Sequence, residues 1–285
     1  RAVAFGGLGN MIGNAGIPLF VQFLLTRVGW RNAAMILGST VCVVTLPFTL
    51  LFLRRSPEDM GLLPDGDEET EQRTANMTGT VSQQLPTETI SMTVREVLRH
   101  RSFYLLIVAF TLSALVGSSL NLHVIPYLSD KGLSPGLTVS VNTVLFSFGA
   151  IGALLMGFVV ERFPARYVLS AIFVLGAVSY VILINVNGAV IAILWAAYAG
   201  VVRGGGGVLT QIIYADYYGR RSLGAIRGLT SPTSMAANSI GPLLAALAFD
   251  MRGDYYSIFA LFGILMVLAS LSIFVARPPS APVAR

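Results

Sequence analysis

Along the chain, long apolar runs alternate with short polar punctuation. Eight runs reach about the ~20 residues that cross a bilayer, at about 3–26, 32–53, 103–127, 138–160, 167–185, 188–214, 227–250 and 256–276. No succession of roughly ten-residue alternating segments is visible, as a membrane barrel would need. The pattern therefore predicts an all-α polytopic membrane protein with eight transmembrane helices. Gly and Pro inside several runs fit this setting, where neighbouring helices and hydroxyl side chains satisfy the freed backbone groups. One long polar stretch breaks the series after Leu53, RRSPEDMGLLPDGDEETEQRTANMTGTVSQQLPTETISM, with little to bury, and reads as a flexible linker. It ends in TVREVLRHRSFYLL, where Thr93 and Glu96 have capping-box spacing. That predicts a short amphipathic surface helix.

The first and seventh runs repeat one another. NAGIPLFVQFLLTRVG (Asn14–Gly29) returns as NSIGPLLAALAFDMRG (Asn238–Gly253), with Asn, Pro and Gly each 224 residues from their counterparts and no gap. The same offset pairs Asn10 with Ser234 and Gly7 with Ser231. Since the linker leaves two runs before it and six after it, the first run matches the fifth helix of the later set. Two six-helix halves related by an axis along the membrane normal meet this condition if four further spans precede Arg1. The chain opens without an initiator Met, directly ahead of a full-length span. The expected organisation is 1–53, the last two helices of an N-terminal half; 54–101, a cytoplasmic linker with the short amphipathic helix; 102–276, a six-helix C-terminal bundle; and 277–285, a cytoplasmic tail.

Composition agrees with a membrane protein: only 12% of residues are charged, against roughly 25% in soluble domains, and mean hydropathy is +0.73. The net charge of +5 does not point to nucleic acid. With the linker placed inside, fourteen basic residues fall on the inner side and four (Arg27, Arg31, Lys131, Arg252) on the outer, with Arg203 inside a run. This satisfies the positive-inside rule and predicts a multi-pass protein of the cell (inner or plasma) membrane, with both halves' termini cytoplasmic. The single cysteine, Cys42, lies within a run. No disulfide framework or Cys-based metal site follows.

Four segments carry a family resemblance. RRSPEDMGLLPDG is similar to the segment after the sixth helix of major facilitator transporters of the monocarboxylate and oxalate/formate antiporter type. SLNLHVIPYLSDKGLS resembles the end of that family's seventh helix, GFVVERFPARYVL its loop between helices eight and nine, and ADYYGRRSLGAIRG its loop between ten and eleven. The resemblance implies a truncated major facilitator fold, helices five to twelve of twelve. It also implies gating charges at Glu161, Arg162, Arg166, Asp216 and Arg220. The loop departs from the superfamily's G-x-x-x-D-R-x-G-R: after Gly157 come Glu161, Arg162, Pro164 and Arg166, so the charge pattern survives and the second Gly does not.

Arg203 is the residue most in need of explanation. An arginine near the middle of a span costs roughly 2.5 to 3.5 kcal/mol on insertion scales. At helical spacing Gly200, Arg203, Gly207, Thr210 and Tyr214 share a face, which suits a polar cavity. Arg203 is read either as an anion anchor, an always-charged fork suited to a carboxylate, or as a structural arginine bonded to helix carbonyls. The family's best-known arginine sits on its eighth helix; the matching run 138–160 has none, so Arg203 is not carried over. Gly204 to Gly207 are read as close packing or as a hinge. Asn10 and Asn14 with Gly7, and Asn238 with Ser231 and Ser234, form equivalent polar faces, suited to interhelical bonding or to substrate. His123, near Asn121 and Tyr127, is read as an interfacial anchor or a proton-coupling group.

The expected function is secondary active transport of a small organic anion, a monocarboxylate or dicarboxylate, by alternating access. The substrate contacts would be Arg203, Thr210, Tyr214, Asn10, Asn14 and Asn238. The expected partners are that small molecule, the lipid bilayer, and a co-transported proton or exchanged anion; no cofactor, metal or nucleic acid is expected. Efflux of a neutral or cationic compound, and a non-transporting membrane sensor on the same fold, are the alternatives. An intramembrane enzyme is disfavoured: His100 and His123 are too far apart for a zinc HExxH motif, and no acidic pair lies deep in a run.

Overall fold

The computed structural model describes residues 2–52, 92–219 and 223–279, and the side chains of all but part of these. The linker from 53 to 91, Arg220 and the tail beyond 279 lie outside the described residues. The elements are α1 (Ala2–Phe52), α2 (Val94–Val97), α3 (Arg101–Asp130), α4 (Pro135–Val159), α5 (Ala165–Ile184), α6 (Ala189–Tyr218), α7 (Leu223–Arg252) and α8 (Tyr256–Val275). No strand occurs among the described residues.

Eight apolar runs were expected to give eight spans; among the described residues, six helices are long and apolar enough to cross a membrane. The difference has two causes. The first two runs join in α1, counted once as Gly16–Leu50, although its backbone breaks at Gly29 (φ 74°, ψ 169°). The seventh run forms α7, whose 30 residues rise about 45 Å at 1.5 Å each. Length suffices there, but Arg227, Thr230, Ser231, Thr233, Ser234 and Asn238 dilute its apolar content.

The sequence repeat reappears in the backbone. Gly29 and its counterpart Gly253 both sit in the left-handed region, at φ 74° and 73°, where a Cβ is strained. Gly253 ends α7 as a C-terminal cap, its amide donating to the Phe249 carbonyl at 2.7 Å. One bend is thus written twice with one residue type.

The chain divides into two compact units, Val21–Glu88 and the remainder. In the described part of the first, Ser39, Thr40 and Thr49 donate to the carbonyls of Met35, Ile36 and Thr45. Hydroxyls satisfied within their own helix leave its circumference apolar, as lipid requires.

In the second unit, α4 and α5 pack on α6, α7 and α8 on α3, and α5 on α8. Glycines set the closest approaches. A Cβ on Gly200 would meet the Leu145 carbonyl, one on Gly204 the Gly149 carbonyl, and one on Gly152 the Val201 carbonyl, so α4 and α6 touch backbone to backbone. α6 continues as helix through the four-glycine run, which packs rather than bends at Gly204. Polar side chains bridge the other contacts: Ser170 Oγ and Ser270 Oγ lie 2.8 Å apart, and the Trp195 indole donates to the Ser179 carbonyl at 3.0 Å. Such bonds average about 0.6 kcal/mol in membranes.

α2 docks on this unit. Met92 and Val97 are buried, and the Met92 amide donates to the Tyr218 carbonyl at 3.1 Å. The expected capping box is present at Thr93 and Glu96: the Glu96 carboxylate accepts the Thr93 amide at 2.8 Å and the Thr93 hydroxyl at 2.9 Å. These two bonds hold the Glu96 carboxyl below its ordinary range.

Candidate functional site

α6 owes its position to the glycine seam, and its next stripe round, Arg203, Gly207 and Thr210, opens onto a cavity of about 430 Å³. α3 contributes Ser113 and Asn121 to the wall, α5 Tyr180, and α7 Ser234 and Asn238. Polar groups from four helices therefore meet in one space.

Arg203 dominates its electrostatics. The guanidinium carbon lies 5.8 Å from the centroid of the Phe146 ring on α4, a cation–π contact. Nη1 is buried with no hydrogen-bond partner, and no ion pair to Arg203 is found among the described residues. The structural reading, with helix carbonyls satisfying the fork, leaves this nitrogen unexplained. A buried donor without a partner carries its full desolvation penalty. Nearby, the Thr210 hydroxyl donates to the Gly206 carbonyl at 2.8 Å, leaving its oxygen free to accept. Tyr180 donates to the Val116 carbonyl at 3.2 Å, tying α5 to α3 across the wall.

The residues singled out in the sequence separate into groups. Arg203, Thr210 and Asn238 come together at the cavity. Tyr214 does not line it: its ring stands 5.4 Å from Phe110 and its hydroxyl is buried. Gly200, on the same expected face, is taken up by the seam with α4. The side chains of Asn10 and Asn14 lie outside the described residues.

His123 is engaged on both nitrogens, with Nε2 3.0 Å from the Pro242 carbonyl and Nδ1 3.1 Å from the Tyr255 hydroxyl. A carbonyl only accepts, so Nε2 carries the proton and, in the neutral ring, Nδ1 accepts from tyrosine. The ring braces α3 against α7 and the start of α8, away from the cavity wall. Glu161, Arg162 and Arg166 lie in and just after the turn between α4 and α5, and Arg166 stacks on Tyr167 at 4.5 Å. Asp216 is exposed near the end of α6. None of these four lines the cavity.

Sequence reading missed Ser113, Ser118, Ser179 and Tyr180 as cavity residues. They sit singly or in pairs within apolar runs, where a hydroxyl that returns to its own helix looks the same as one facing a cavity.

The Major Facilitator Superfamily model matches residues 1–151 and 124–285, which together cover the whole chain. The chain belongs to the Major Facilitator Superfamily. Its helices are accordingly those of a multi-pass membrane protein, and the six from α3 to α8 carry the cavity. Monocarboxylate transporter 12 of Rattus norvegicus is 22% identical over 284 residues, covering 95% of this chain and 58% of that protein. The chain thus spans less than two thirds of the relative's length. This similarity agrees with the branch that the four sequence segments resemble.

Proposed function

We propose that the protein is a secondary active transporter of a small organic anion, a monocarboxylate or dicarboxylate, that works by alternating access and anchors the carboxylate on Arg203. The unpartnered, buried Nη1 of Arg203 in a hydroxyl-lined cavity carries this reading. A carboxylate accepts two parallel N–H bonds from a guanidinium and neutralises a charge that lipid disfavours. Thr210 and Asn238 supply further polar contacts. The same charge repels a cationic substrate, which sets the anion reading above efflux of cations.

The repeat at an offset of 224 residues, with a positive-φ glycine in each copy, supports assigning α3 to α8 to one six-helix half and α1 to the end of the other. The distribution of basic residues supports a cytoplasmic linker and cytoplasmic termini. On this assignment Glu161, Arg162, Arg166, Asp216 and Arg220 stand at the inner ends of helices, where changes in charge pairing accompany the rocking of the halves. The protein moves its substrate unchanged, with no catalytic step.

Uptake of labelled monocarboxylates and dicarboxylates into proteoliposomes by the full-length protein tests the proposal. Arg203→Gln abolishes saturable uptake, and Arg203→Lys restores only part of it because an ammonium lacks the fork. Undiminished carboxylate uptake by Arg203→Gln overturns the anchor, and uptake of cations alone favours the efflux reading.

A further inference from the structure

We propose that the carboxylate held by Arg203 carries an apolar body, taken up by a pocket inside the six-helix bundle walled by Phe110, Leu145, Ile172, Phe173 and Met266. The inference rests on the anion reading of Arg203 and specifies the rest of the molecule. All five side chains line the same cavity as Arg203. They come from α3, α4, α5 and α8, so the space lies among the helices of this one half.

These are core residues facing a cavity. Phe173 is 3% exposed and Leu145 2%, yet both border a cavity of about 430 Å³. A two- or three-carbon acid fills a fraction of it, and the apolar wall would remain without contacts on one side. A hydrocarbon chain supplies those contacts, with one charged end for one fixed cation.

The wall also has a movable part. A Cβ added to Gly176, another cavity residue, would stand 2.7 Å from the terminal methyl of Met266. That methyl is the free end of an unbranched side chain, so Gly176→Ala displaces it into the space without opposing backbones. Alanine is also the better helix former.

Binding of straight-chain monocarboxylates from acetate to hexanoate is measured by calorimetry on the full-length protein in nanodiscs, with empty nanodiscs subtracted. In the wild type, affinity rises about fourfold per added methylene until the pocket is full. Gly176→Ala lowers affinity for the longest acids about fourfold or more, and by a larger factor than for acetate and propionate. Met266→Ala, which opens the same wall, moves the optimum toward longer chains. Arg203→Gln weakens the entire series. Carboxylate binding that depends on Arg203 but is flat with chain length overturns the apolar pocket and leaves the anchor standing. A chain-length gain that neither Gly176→Ala nor Met266→Ala alters overturns it too. Binding of no member of the series overturns both readings.

Discussion

Replacing Gly204 with alanine puts a methyl group onto the carbonyl oxygen of Gly149, where α4 and α6 touch. Overpacking of a tight interior typically costs about 1–3 kcal/mol, and the lower figures belong to sites where a side chain swings aside. Here the obstacle is backbone, so the helices themselves must separate, loosening the adjoining contacts of Gly200 with Leu145 and Gly152 with Val201. Set against about 1 kcal/mol gained in helix propensity, an upper-range clash of about 3 kcal/mol leaves roughly 2 kcal/mol of destabilisation. Gly207 is the internal control, since a Cβ there meets nothing within 4 Å; its alanine variant gains the propensity term alone. Thermal unfolding of the purified full-length variants reads the difference: the midpoint falls for Gly204→Ala and rises for Gly207→Ala. Equal shifts of the same sign at both positions would refute the packing argument and revive a hinge.

Three other outcomes follow from particular contacts. Arg203→Gln weakens carboxylate binding about ten- to a hundredfold, the worth of roughly 1.5 to 3 kcal/mol for a hydrogen bond to a charged group, read by calorimetry. Tyr255→Phe removes the hydroxyl that meets His123 Nδ1 and lowers stability by about 0.6 to 1 kcal/mol, seen in detergent unfolding; an unchanged midpoint shows that the brace is idle. Glu96 has a carboxyl held below its ordinary range in the folded state, so its contribution is present above the unfolded pKa and lost as pH falls through the folded one. Hydrogen exchange over 92–100, corrected for intrinsic rate, should quicken in acid for the wild type and lose that acid limb in Glu96→Gln.

Much of the fold was legible because lipid imposes a coarse rule: a run of apolar residues long enough to cross is a helix. The repeated glycine was legible too, since a bend in the left-handed region leaves a mark that survives when neighbouring side chains change. Arg203 stood out as the single charge deep in its run. The cavity did not, because its polar members are spread two or three to a helix over four helices and only packing brings them together. Periodicity placed Gly200 and Tyr214 on the arginine's face, but it cannot say what covers each level of that face. α4 covers Gly200, and Phe110 lies against Tyr214. His123 could be placed near a helix end by hydropathy, while its partners on α7 and at the start of α8 left no trace in the local sequence.

The seam and the cavity belong to one device. At 3.6 residues per turn, Gly200 and Gly204 form one stripe of α6, while Arg203, Gly207 and Thr210 form the next, less than a quarter-turn away. Close approach on the first stripe brings α4 near enough for the Phe146 ring to stand 5.8 Å from the guanidinium, a distance that a bulkier seam would lengthen. The glycines that let two backbones touch thereby set the surroundings of the charge. This is why a span can hold an arginine: the helix is fixed by contacts needing no side chain, and the adjoining face remains free to be polar. If so, Gly204→Ala weakens carboxylate binding as well as stability, although it touches nothing in the cavity. A variant that unfolds earlier yet binds with full affinity would separate the two stripes.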